Sequence, residues 1–376
     1  MNEDTSVREV RVVLVADGDP ADVRTNSGLP EGILSGLRAR SDVEIVGLVD
    51  STPGQLWRYI AAALSFRFDR QQWRNVYRKG RMMRALRSRT RDRALARVPG
   101  EFVSVQIGNT YAPSTSPYAV VIDGTASLSQ KWEGWALPKR ELDARIRAER
   151  LQFDRARTVF VLGDQVRTEV INAYGQPAAK VITLGGGARR STETKSRKAP
   201  KAALRDGLKT ILFVGVDFER KGGDVLLSAF RRLRESDTVE LIIAGCAPRA
   251  PEPGVRYVGF VSERPSMDRL YQDAHVFCLP SRFEPFGLVV HEAMAFAVPC
   301  VVSDRGALPG LVLDGEAGVI VPVEDDAALE AALRTLVRDE SRRAELGKRG
   351  QLAAAGSSWD VVADRLRRGI TMAEDR

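Results

Sequence analysis

Short runs of β-branched and other apolar residues alternate with helix-like segments along the chain, and this alternation restricts the fold more than any other feature. Helix-like segments separate the early runs, for example at 29–40 and 139–155. Because strand–helix–strand repeats at this spacing form parallel sheets with crossover helices, the pattern predicts an α/β fold. The first series of runs lies at 9–16, 43–49, 102–109, 118–123, 158–163 and 180–187.

A second series begins at Thr210, after a polar and basic stretch without apolar periodicity. A chain of 376 residues is also too long for one ordinary core. The second series of runs lies at 210–216, 239–245, 255–260, 276–280, 299–303 and 318–322. We therefore predict a Rossmann-like domain at 1–190, a linker at 191–207 and a second Rossmann-like domain at 208–356. A terminal helix should follow at 357–376, where Trp359, Val362 and Leu366 have helical spacing.

Bulk composition excludes some classes of protein. No apolar run approaches the roughly 20 residues that span a bilayer. The first ten residues also lack the apolar core of a signal peptide, so we expect a cytoplasmic protein. The net charge of +8 favours an anionic partner, which nucleic acid, lipid or a phosphorylated ligand would all satisfy.

The segment 66–97 concentrates this positive charge, with twelve basic and two acidic residues. Aromatic and aliphatic residues are interleaved with the arginines, which predicts one or two basic amphipathic helices. One interpretation is a solvated face over a stripe of core residues. Another is docking to the inner membrane surface or to a phosphorylated acceptor. Nucleic acid is disfavoured as a partner because no recognition motif accompanies the charge.

The cysteines and histidines do not predict a metal site. Cys246, Cys278 and Cys300 each lie in an apolar run, where small buried cysteines are common. His275 and His291 are the only histidines, and neither belongs to an HxH or HExxH pattern. We therefore expect three core cysteines and no protein-bound metal ion.

The strongest chemical signal is a pair of glutamates, Glu284 and Glu292, on either side of a Pro-Phe-Gly turn. Glu284 follows the predicted strand at 276–280, and Glu292 lies in a helix that starts near Gly287. The backbone N–H groups of Phe286, Gly287 and Leu288 would form the start of that helix and attract phosphate or hydroxyl oxygens. A carboxylate at Glu292 can accept both hydroxyls of a ribose, and one at Glu284 those of a sugar.

A second signal follows the predicted strand at 210–216. That strand ends at Gly215, and the next loop carries Arg220 and Lys221 before two glycines and a helix. Two cations beside a helix start suit a diphosphate and would stabilise the charge that develops on it as it leaves. The loop is not a Walker loop, since it lacks GxxxxGK[ST].

These motifs, taken in order over roughly 208–370, resemble glycosyltransferase family 4. The resemblance rests on the two glutamates, the Glu-Pro-Phe-Gly-Leu turn, the Arg-Lys-Gly-Gly loop and the Gly259-Phe260 pair. It implies a GT-B fold, in which two Rossmann-like domains have parallel sheets facing a central cleft and a C-terminal helix crosses back to the first domain. It also implies retaining transfer without a metal ion or cofactor.

The resemblance further implies a role for individual residues. Arg220 and Lys221 would hold the diphosphate, Glu292 the ribose, and Glu284 with the 286–288 backbone the donor sugar. Gly259 and Phe260 would border the nucleobase, and Gly215 would lie in the donor loop.

The first half matches the family more loosely. Its turn at 26–30 resembles a first loop whose backbone, at Gly28, would face the donor phosphates. The segment 120–128 resembles a strand-end motif of mannosyltransferase-like members, with Asp123 as an acceptor-side or sugar-hydroxyl contact. This sequence departs from the family pattern in two ways. Val216 stands where many members have Arg, and no histidine lies in the first half.

We therefore predict a retaining hexosyltransferase that uses GDP-mannose or a UDP-hexose and a saccharide or lipid-linked acceptor. The alternative is a non-catalytic nucleotide-sugar-binding protein that acts as a scaffold or partner subunit. An NAD-dependent oxidoreductase is disfavoured because no GxGxxG follows the first strand. A nucleic-acid-binding module would rest on charge alone.

Overall fold

The computed structural model describes residues 9–188, 207–313 and 316–372, and the chain forms two compact units. Unit 1 comprises Met1–Gly185 together with Trp359–Arg376, and unit 2 comprises Gly186–Ser358. The predicted linker at 191–207 lies outside the described residues except for its last position. Each unit contains one six-stranded sheet.

The sheet of unit 1 is parallel throughout and follows the order β2-β1-β3-β4-β5-β6. All six predicted runs of the first series form strands, and most of their residues are buried because helices cover a parallel sheet on both faces. The strands are β1 (Val10–Ala16), β2 (Val43–Asp50), β3 (Val103–Ile107), β4 (Tyr118–Ile122), β5 (Val159–Val161) and β6 (Val181–Thr183).

The helices of unit 1 include two that the sequence pattern did not predict, α2 and the short α5. They are α1 (Leu29–Arg38), α2 (Gln55–Leu64), α3 (Arg70–Lys79), α4 (Arg81–Leu95), α5 (Ala126–Ser129), α6 (Lys139–Arg155), α7 (Asp164–Asn172) and, at the C-terminus, the helix Trp359–Thr371. Short 3-10 turns lie at Thr25–Gly28, Glu133–Trp135 and Ala178–Lys180.

The sheet of unit 2 has a reversal of strand order at its centre. All six predicted runs of the second series form parallel strands, in the order β12-β11-β10-β7-β8-β9. Since β7 and β10 are neighbours at the reversal, the loops after them lie at the switch point where open α/β sheets bind ligands. The strands are β7 (Lys209–Val214), β8 (Val239–Ala244), β9 (Val255–Gly259), β10 (Val276–Leu279), β11 (Cys300–Ser303) and β12 (Gly318–Val321).

The helices of unit 2 lie between its strands and after the last one. They are α8 (Gly223–Arg234), α9 (Arg264–Asp273), α10 (Leu288–Ala295), α11 (Leu308–Val312), α12 (Asp326–Arg338) and α13 (Glu340–Ala355), so the C-terminal helix of unit 1 is α14. Within the described residues, no helix is long and apolar enough to cross a membrane. The three cysteines are buried and unpaired, as expected for core residues.

The basic segment 66–97 forms two helices, α3 and α4, as predicted, but it is not simply a solvated face. Val76, Met83, Leu86 and Leu95 are buried and form a core stripe. Arg91 is also fully buried. Its guanidinium donates to Gln106 Oε1 at 3.0 Å and to the Ala112 carbonyl at 2.7 Å. This charged group therefore binds partners inside unit 1 and does not face the solvent.

Helix α14 packs against α1 through two glycines, as the predicted return to the first domain requires. A Cβ atom at Gly32 would lie 2.3 Å from the Trp359 ring, and one at Gly36 would lie 2.2 Å from the Trp359 carbonyl oxygen. Both distances are too short for any larger residue. The helices therefore approach this closely only because α1 has glycine at both positions.

We predict that Gly36→Ala lowers the free energy of unfolding of unit 1 by about 1–3 kcal/mol, since the new methyl group overlaps the backbone of α14. Gly54→Ala is the matched control because a Cβ atom there meets nothing within 4 Å. Chemical unfolding followed by circular dichroism measures both variants. Equal stability of the two variants would contradict the packing described for α1 and α14.

Candidate donor site at the switch point of unit 2

A buried carboxylate and two cations meet at the switch point of unit 2. Glu284, in the loop after β10, accepts a hydrogen bond from Lys221 Nζ, which lies 2.9 Å from its Oε2 atom. Arg220 Nη1 lies 3.6 Å from the same oxygen and donates to the Phe283 carbonyl at 2.6 Å. The structure therefore brings together three of the residues that the sequence assigned to the donor.

The carboxylate of Glu284 is ionised despite its burial. Burial by itself raises the pKa of this group, but the adjacent charges of Lys221 and Arg220 outweigh it, and the pKa lies below its usual value. The folded state thus binds a proton less readily than the unfolded state. The resulting stabilisation is present at neutral pH and is lost as the pH falls through the acidic range.

Two glycines make the contact between these loops possible. A Cβ atom at Gly215 would lie 2.3 Å from Cδ of Lys221, so only glycine leaves room for the lysine side chain. Gly222 has φ +72°, and a Cβ atom there would lie 2.0 Å from the Pro280 carbonyl oxygen. The start of α8 is therefore held against the end of β10, which places the cationic loop beside Glu284.

The backbone of Glu284 is fixed from the other side by the loop after β11. Ala307 N donates to the Glu284 carbonyl at 3.2 Å. Gly306 has φ +63°, and a Cβ atom at this position would lie 1.8 Å from the same carbonyl oxygen. The sequence analysis did not identify Gly306. Its left-handed backbone and its close approach to the Glu284 carbonyl leave no room for a side chain at this position.

The turn between the two glutamates leaves several donors unused. Gly287 has φ +98° and is the N-cap of α10, as predicted. Within the described residues, the backbone N–H groups of Phe286, Gly287 and Leu288 donate no hydrogen bond. Such groups at a helix start attract phosphate or hydroxyl oxygens. The geometry is therefore compatible with the donor contacts predicted for this turn.

The histidine in α10 is a core residue rather than a base. His291 is buried and stacks on Phe286, with ring centroids 5.2 Å apart. Burial lowers the pKa of His291 to about 4, so the imidazole is neutral at physiological pH. The imidazole of His291 therefore brings no positive charge next to Glu292.

Glu292 belongs to a separate cluster that sequence reasoning did not find. Its Oε1 atom accepts from Arg264 Nη1 at 2.5 Å, and its Oε2 atom accepts from the Tyr271 hydroxyl at 2.8 Å. Both partners lie on α9, and Arg264 also pairs with Asp268 at 2.6 Å. A carboxylate oxygen has two lone-pair directions, so each can still accept a ribose hydroxyl.

The predicted nucleobase segment lies at the ends of β8 and β9. Gly245 N donates to the Gly259 carbonyl at 2.7 Å, which joins the two strand ends. Gly259 has φ +68°, and no atom lies within 4 Å of a Cβ built there. Phe260 is half-exposed, and Val216, at the position where the resemblance predicts arginine in many members, is 69% exposed. The contact with a nucleobase stays a prediction.

The two site residues predicted in the first half lie in unit 1. Gly28 has φ +80° and precedes α1, after Asn26 and Ser27 with φ +44° and +58°. Left-handed backbone is unfavourable for such residues and is typical of a loop with a functional constraint. Asp123 is exposed and follows β4. Neither role, phosphate contact for Gly28 or acceptor contact for Asp123, is tested by this geometry.

We predict that Lys221→Met destabilises unit 2 by about 2–4 kcal/mol, because Glu284 keeps its burial and loses its closest cation. Glu284→Gln should destabilise by a similar amount. The double variant should be less destabilised than the sum, with a coupling energy of about 0.5–3 kcal/mol. Urea unfolding without nucleotide measures all three.

The exposed pair Arg231–Glu252 provides the control for this cycle. Arg231 is 60% exposed in that pair, so Arg231→Met should cost less than about 1 kcal/mol. If the effects of the Lys221 and Glu284 substitutions simply add, the two side chains are not the coupled unit described above.

Residues 194–353 match the family described as Glycosyl transferases group 1. The chain is 31% identical over 249 residues to a D-inositol 3-phosphate glycosyltransferase of Corynebacterium aurimucosum, covering 60% of this chain and 59% of that protein. It is 37% identical over 171 residues to a phosphatidyl-myo-inositol mannosyltransferase of Mycobacterium leprae, covering 43% and 46%. The matched regions thus span about half the length of these curated relatives.

Solved structures show the same fold. A sucrose-phosphate synthase from Thermosynechococcus elongatus matches with a TM-score of 0.73 at 17% identity, over 97% of this chain and 100% of that one. A UDP-forming trehalose-phosphate synthase from Burkholderia xenovorans matches with a TM-score of 0.69 at 14% identity, over 97% and 99%. The chain therefore has a GT-B-like fold, and its residues 194–353 are similar to the family of glycosyl transferases group 1.

Proposed function

We propose that this chain is a retaining, metal-independent hexosyltransferase whose unit 2 binds a nucleotide-sugar donor. The observation that carries the proposal is the buried Lys221–Glu284–Arg220 group at the switch point. Two cations meet at one buried carboxylate where a diphosphate would lie, and Arg220 Nε also lies 3.4 Å from the half-exposed Asp217. The family match at residues 194–353 supports the reaction class.

In the proposed complex the diphosphate replaces Glu284 as a partner of Lys221 and Arg220. Glu284 is then available to accept hydroxyl protons of the donor sugar. Glu292, already oriented by Arg264 and Tyr271, accepts the ribose hydroxyls. The unused N–H groups at 286–288 donate to the sugar or phosphate. In this complex each of these polar groups has a partner on the donor, and no metal ion is needed to bind the diphosphate.

The proposed reaction is a front-face displacement. The bond between C1 of the sugar and the diphosphate oxygen breaks, and the acceptor oxygen attacks C1 from the same face. The departing diphosphate oxygen takes the proton of the acceptor hydroxyl. Lys221 and Arg220 stabilise the negative charge that develops on the diphosphate, so positioning and charge supply most of the rate.

The donor and acceptor are proposed from the resemblance and from the names of the relatives. A mannosyltransferase among them favours GDP-mannose, with a UDP-hexose as the second choice. The names of both relatives include an inositol phosphate or a phosphatidylinositol. We propose a saccharide or lipid-linked acceptor of this polar, polyhydroxylated kind, bound by unit 1.

We predict that one nucleoside diphosphate or nucleotide sugar raises the melting temperature of unit 2 by several degrees in the presence of EDTA. Ligand at about 100 times its dissociation constant adds about 2.7 kcal/mol to the free energy of unfolding. Lys221→Met and Glu292→Gln should each weaken this shift, measured from their own unliganded melting temperatures. Arg231→Met, at the exposed pair, should keep it.

Transfer of the sugar in EDTA, with the anomeric configuration of the product determined by NMR, separates the competing functions. A retained configuration supports the proposal. An inverted configuration, or activity that requires a divalent metal ion, contradicts it. Nucleotide binding without transfer to any saccharide or inositol acceptor would favour the non-catalytic alternative, which the exposed Val216 in place of arginine motivates.

We also propose that unit 1 contacts an anionic membrane surface through α2 and the loop that follows it. The large apolar residues of α3 and α4 are buried or half-buried, and the exposed ones lie in α2 and at the start of the 66–97 segment. Trp57, Tyr59 and Phe68 are 50%, 64% and 100% exposed, and Leu56, Leu64 and Phe66 are also exposed. Exposed arginines flank this apolar surface, at Arg58, Arg70 and Arg74.

An anionic lipid surface fits this combination because aromatic and aliphatic side chains enter the interfacial region while arginines bind lipid phosphates. We predict that replacing Trp57, Tyr59 and Phe68 together by Gln lowers binding to vesicles that contain phosphatidylglycerol by at least about tenfold. Leu352→Gln is the control, since Leu352 is 68% exposed but lies in unit 2. Cosedimentation that is unchanged by the triple substitution would contradict the contact.

A further inference from the structure

The side chain of Arg282, in the loop after β10, binds three neighbouring residues of unit 2. Its Nη1 and Nη2 atoms donate to the two carboxylate oxygens of Asp224, each at 2.7 Å. Its Nη2 atom also donates to Glu324 Oε2 at 2.9 Å, its Nε atom to Glu324 Oε1, and its Nη1 atom to the Glu219 carbonyl. All five N–H groups of the guanidinium are therefore used within the protein. We call this set of contacts the Arg282 clamp.

The Arg282 clamp joins loops that are far apart in the sequence. Glu219 lies in the loop after β7, Asp224 in the first turn of α8, and Glu324 in the loop after β12. The backbone N–H of Arg282 adds a further contact, since it donates to the Arg220 carbonyl at 2.9 Å. The loops after β7, β10 and β12 are thus held together at the carboxyl edge of the sheet.

The geometry of the Arg282 clamp fixes orientation as well as distance. The planar guanidinium binds both oxygens of each carboxylate, which a point charge cannot do. Burial by itself raises the pKa of Asp224, but the hydrogen bonds from Arg282 outweigh it, so this carboxylate is ionised at neutral pH. Glu324 has φ +64°, and a residue other than glycine remains in that conformation only where its surroundings hold it.

The segment that the clamp holds is the one that carries the two cations of the donor site. Arg282 binds both ends of the segment 219–224, and Arg220 and Lys221 lie between those ends. Glu284, the carboxylate that these cations share, follows Arg282 by two residues. One side chain therefore sets the position of both cations relative to the carboxylate.

We propose that Arg282 is a positioning residue for diphosphate binding, which holds Arg220 and Lys221 in place without touching the ligand. The inference rests on the proposed function, which assigns the diphosphate to these cations. In the proposed complex Glu284 no longer binds Lys221, so the cations lose their contact with that carboxylate. The Arg282 clamp then remains as the contact that keeps the segment 219–224 in position.

Asp224 separates a positioning role from a simple effect of charge. This half-exposed carboxylate lies three residues after Lys221, on the same segment as the cations. If Asp224 acted only through its charge, its removal would strengthen the binding of an anion there. If it acts by holding the segment through Arg282, its removal should weaken that binding. The two roles predict changes in affinity of opposite sign.

The test measures binding of GDP and UDP by calorimetry in the presence of EDTA, with guanosine and uridine as references without phosphate. Arg282→Met and Asp224→Asn should each weaken the binding of the nucleoside diphosphate by about tenfold. Binding of the nucleoside should not change. Arg282→Lys keeps the charge but not the planar fork, so it should also weaken the binding of the nucleoside diphosphate.

The matched control is Arg338→Met, which removes another bidentate pair of unit 2. Arg338 donates to both oxygens of Asp237 at 2.7 and 3.1 Å. Asp237 precedes β8 and so lies at the opposite edge of the sheet from the switch point. This variant should be destabilised in urea, as Arg282→Met is, but should bind the nucleoside diphosphate as the wild type does.

A second measurement needs no ligand. The coupling energy between Lys221 and Glu284, obtained from the double-variant cycle, should be smaller in an Arg282→Met background than in the wild type. Stronger binding of the nucleoside diphosphate in Asp224→Asn, or wild-type affinity in either Arg282 variant, would overturn the proposal and leave the proposed function intact. If wild-type protein binds neither nucleotide but the coupling falls in Arg282→Met, the proposed function is contradicted and the role of Arg282 in holding the cations is supported.

Discussion

The ionised and buried carboxylate of Glu284 is the constraint on which the rest of the donor site depends. A carboxylate can remain charged away from water only if cations are close, and Lys221 and Arg220 supply that charge from the loop after β7. Because β7 and β10 are neighbours in the sheet, loops that are 63 residues apart in sequence meet at one point. The reversal of strand order thus brings the charged residues of both loops to one point, and the glycines in the loops leave room for their side chains to make contact.

Both units concentrate positive charge, but they arrange it differently. In unit 2 two cations meet at one buried carboxylate, Arg220 also lies 3.4 Å from the half-exposed Asp217, and backbone N–H groups of the 286–288 turn are unused. This arrangement suits a ligand that brings its own negative charge. In unit 1, within the described residues, Lys79 and Arg84 have no carboxylate within 4.0 Å, whereas Arg145 pairs with Glu149 at 3.1 Å.

The sequence predicted the strands of the fold more completely than the contacts between residues of the candidate site. All twelve predicted strands are present in the described part of the chain, since burial on both faces of a parallel sheet requires the apolar runs that predicted them. Helix α2 was missed although its apolar residues have helical spacing, and Leu56, Tyr59 and Leu64 are exposed rather than packed in the core. Arg264 and Tyr271 were missed as partners of Glu292 because their contact depends on how α9 packs against α10. Gly306 was missed because its constraint is a backbone approach to Glu284, which leaves no pattern in the chain.

The central claim is that the diphosphate of a donor displaces Glu284 from Lys221 at the switch point of unit 2. A crystal structure with a bound nucleoside diphosphate, grown in the presence of EDTA, tests it most directly. The account predicts that phosphate oxygens lie within hydrogen-bond distance of Lys221 Nζ and the Arg220 guanidinium, with the ribose hydroxyls on Glu292. A nucleotide bound elsewhere, with the Lys221–Glu284 pair unchanged, would contradict the account.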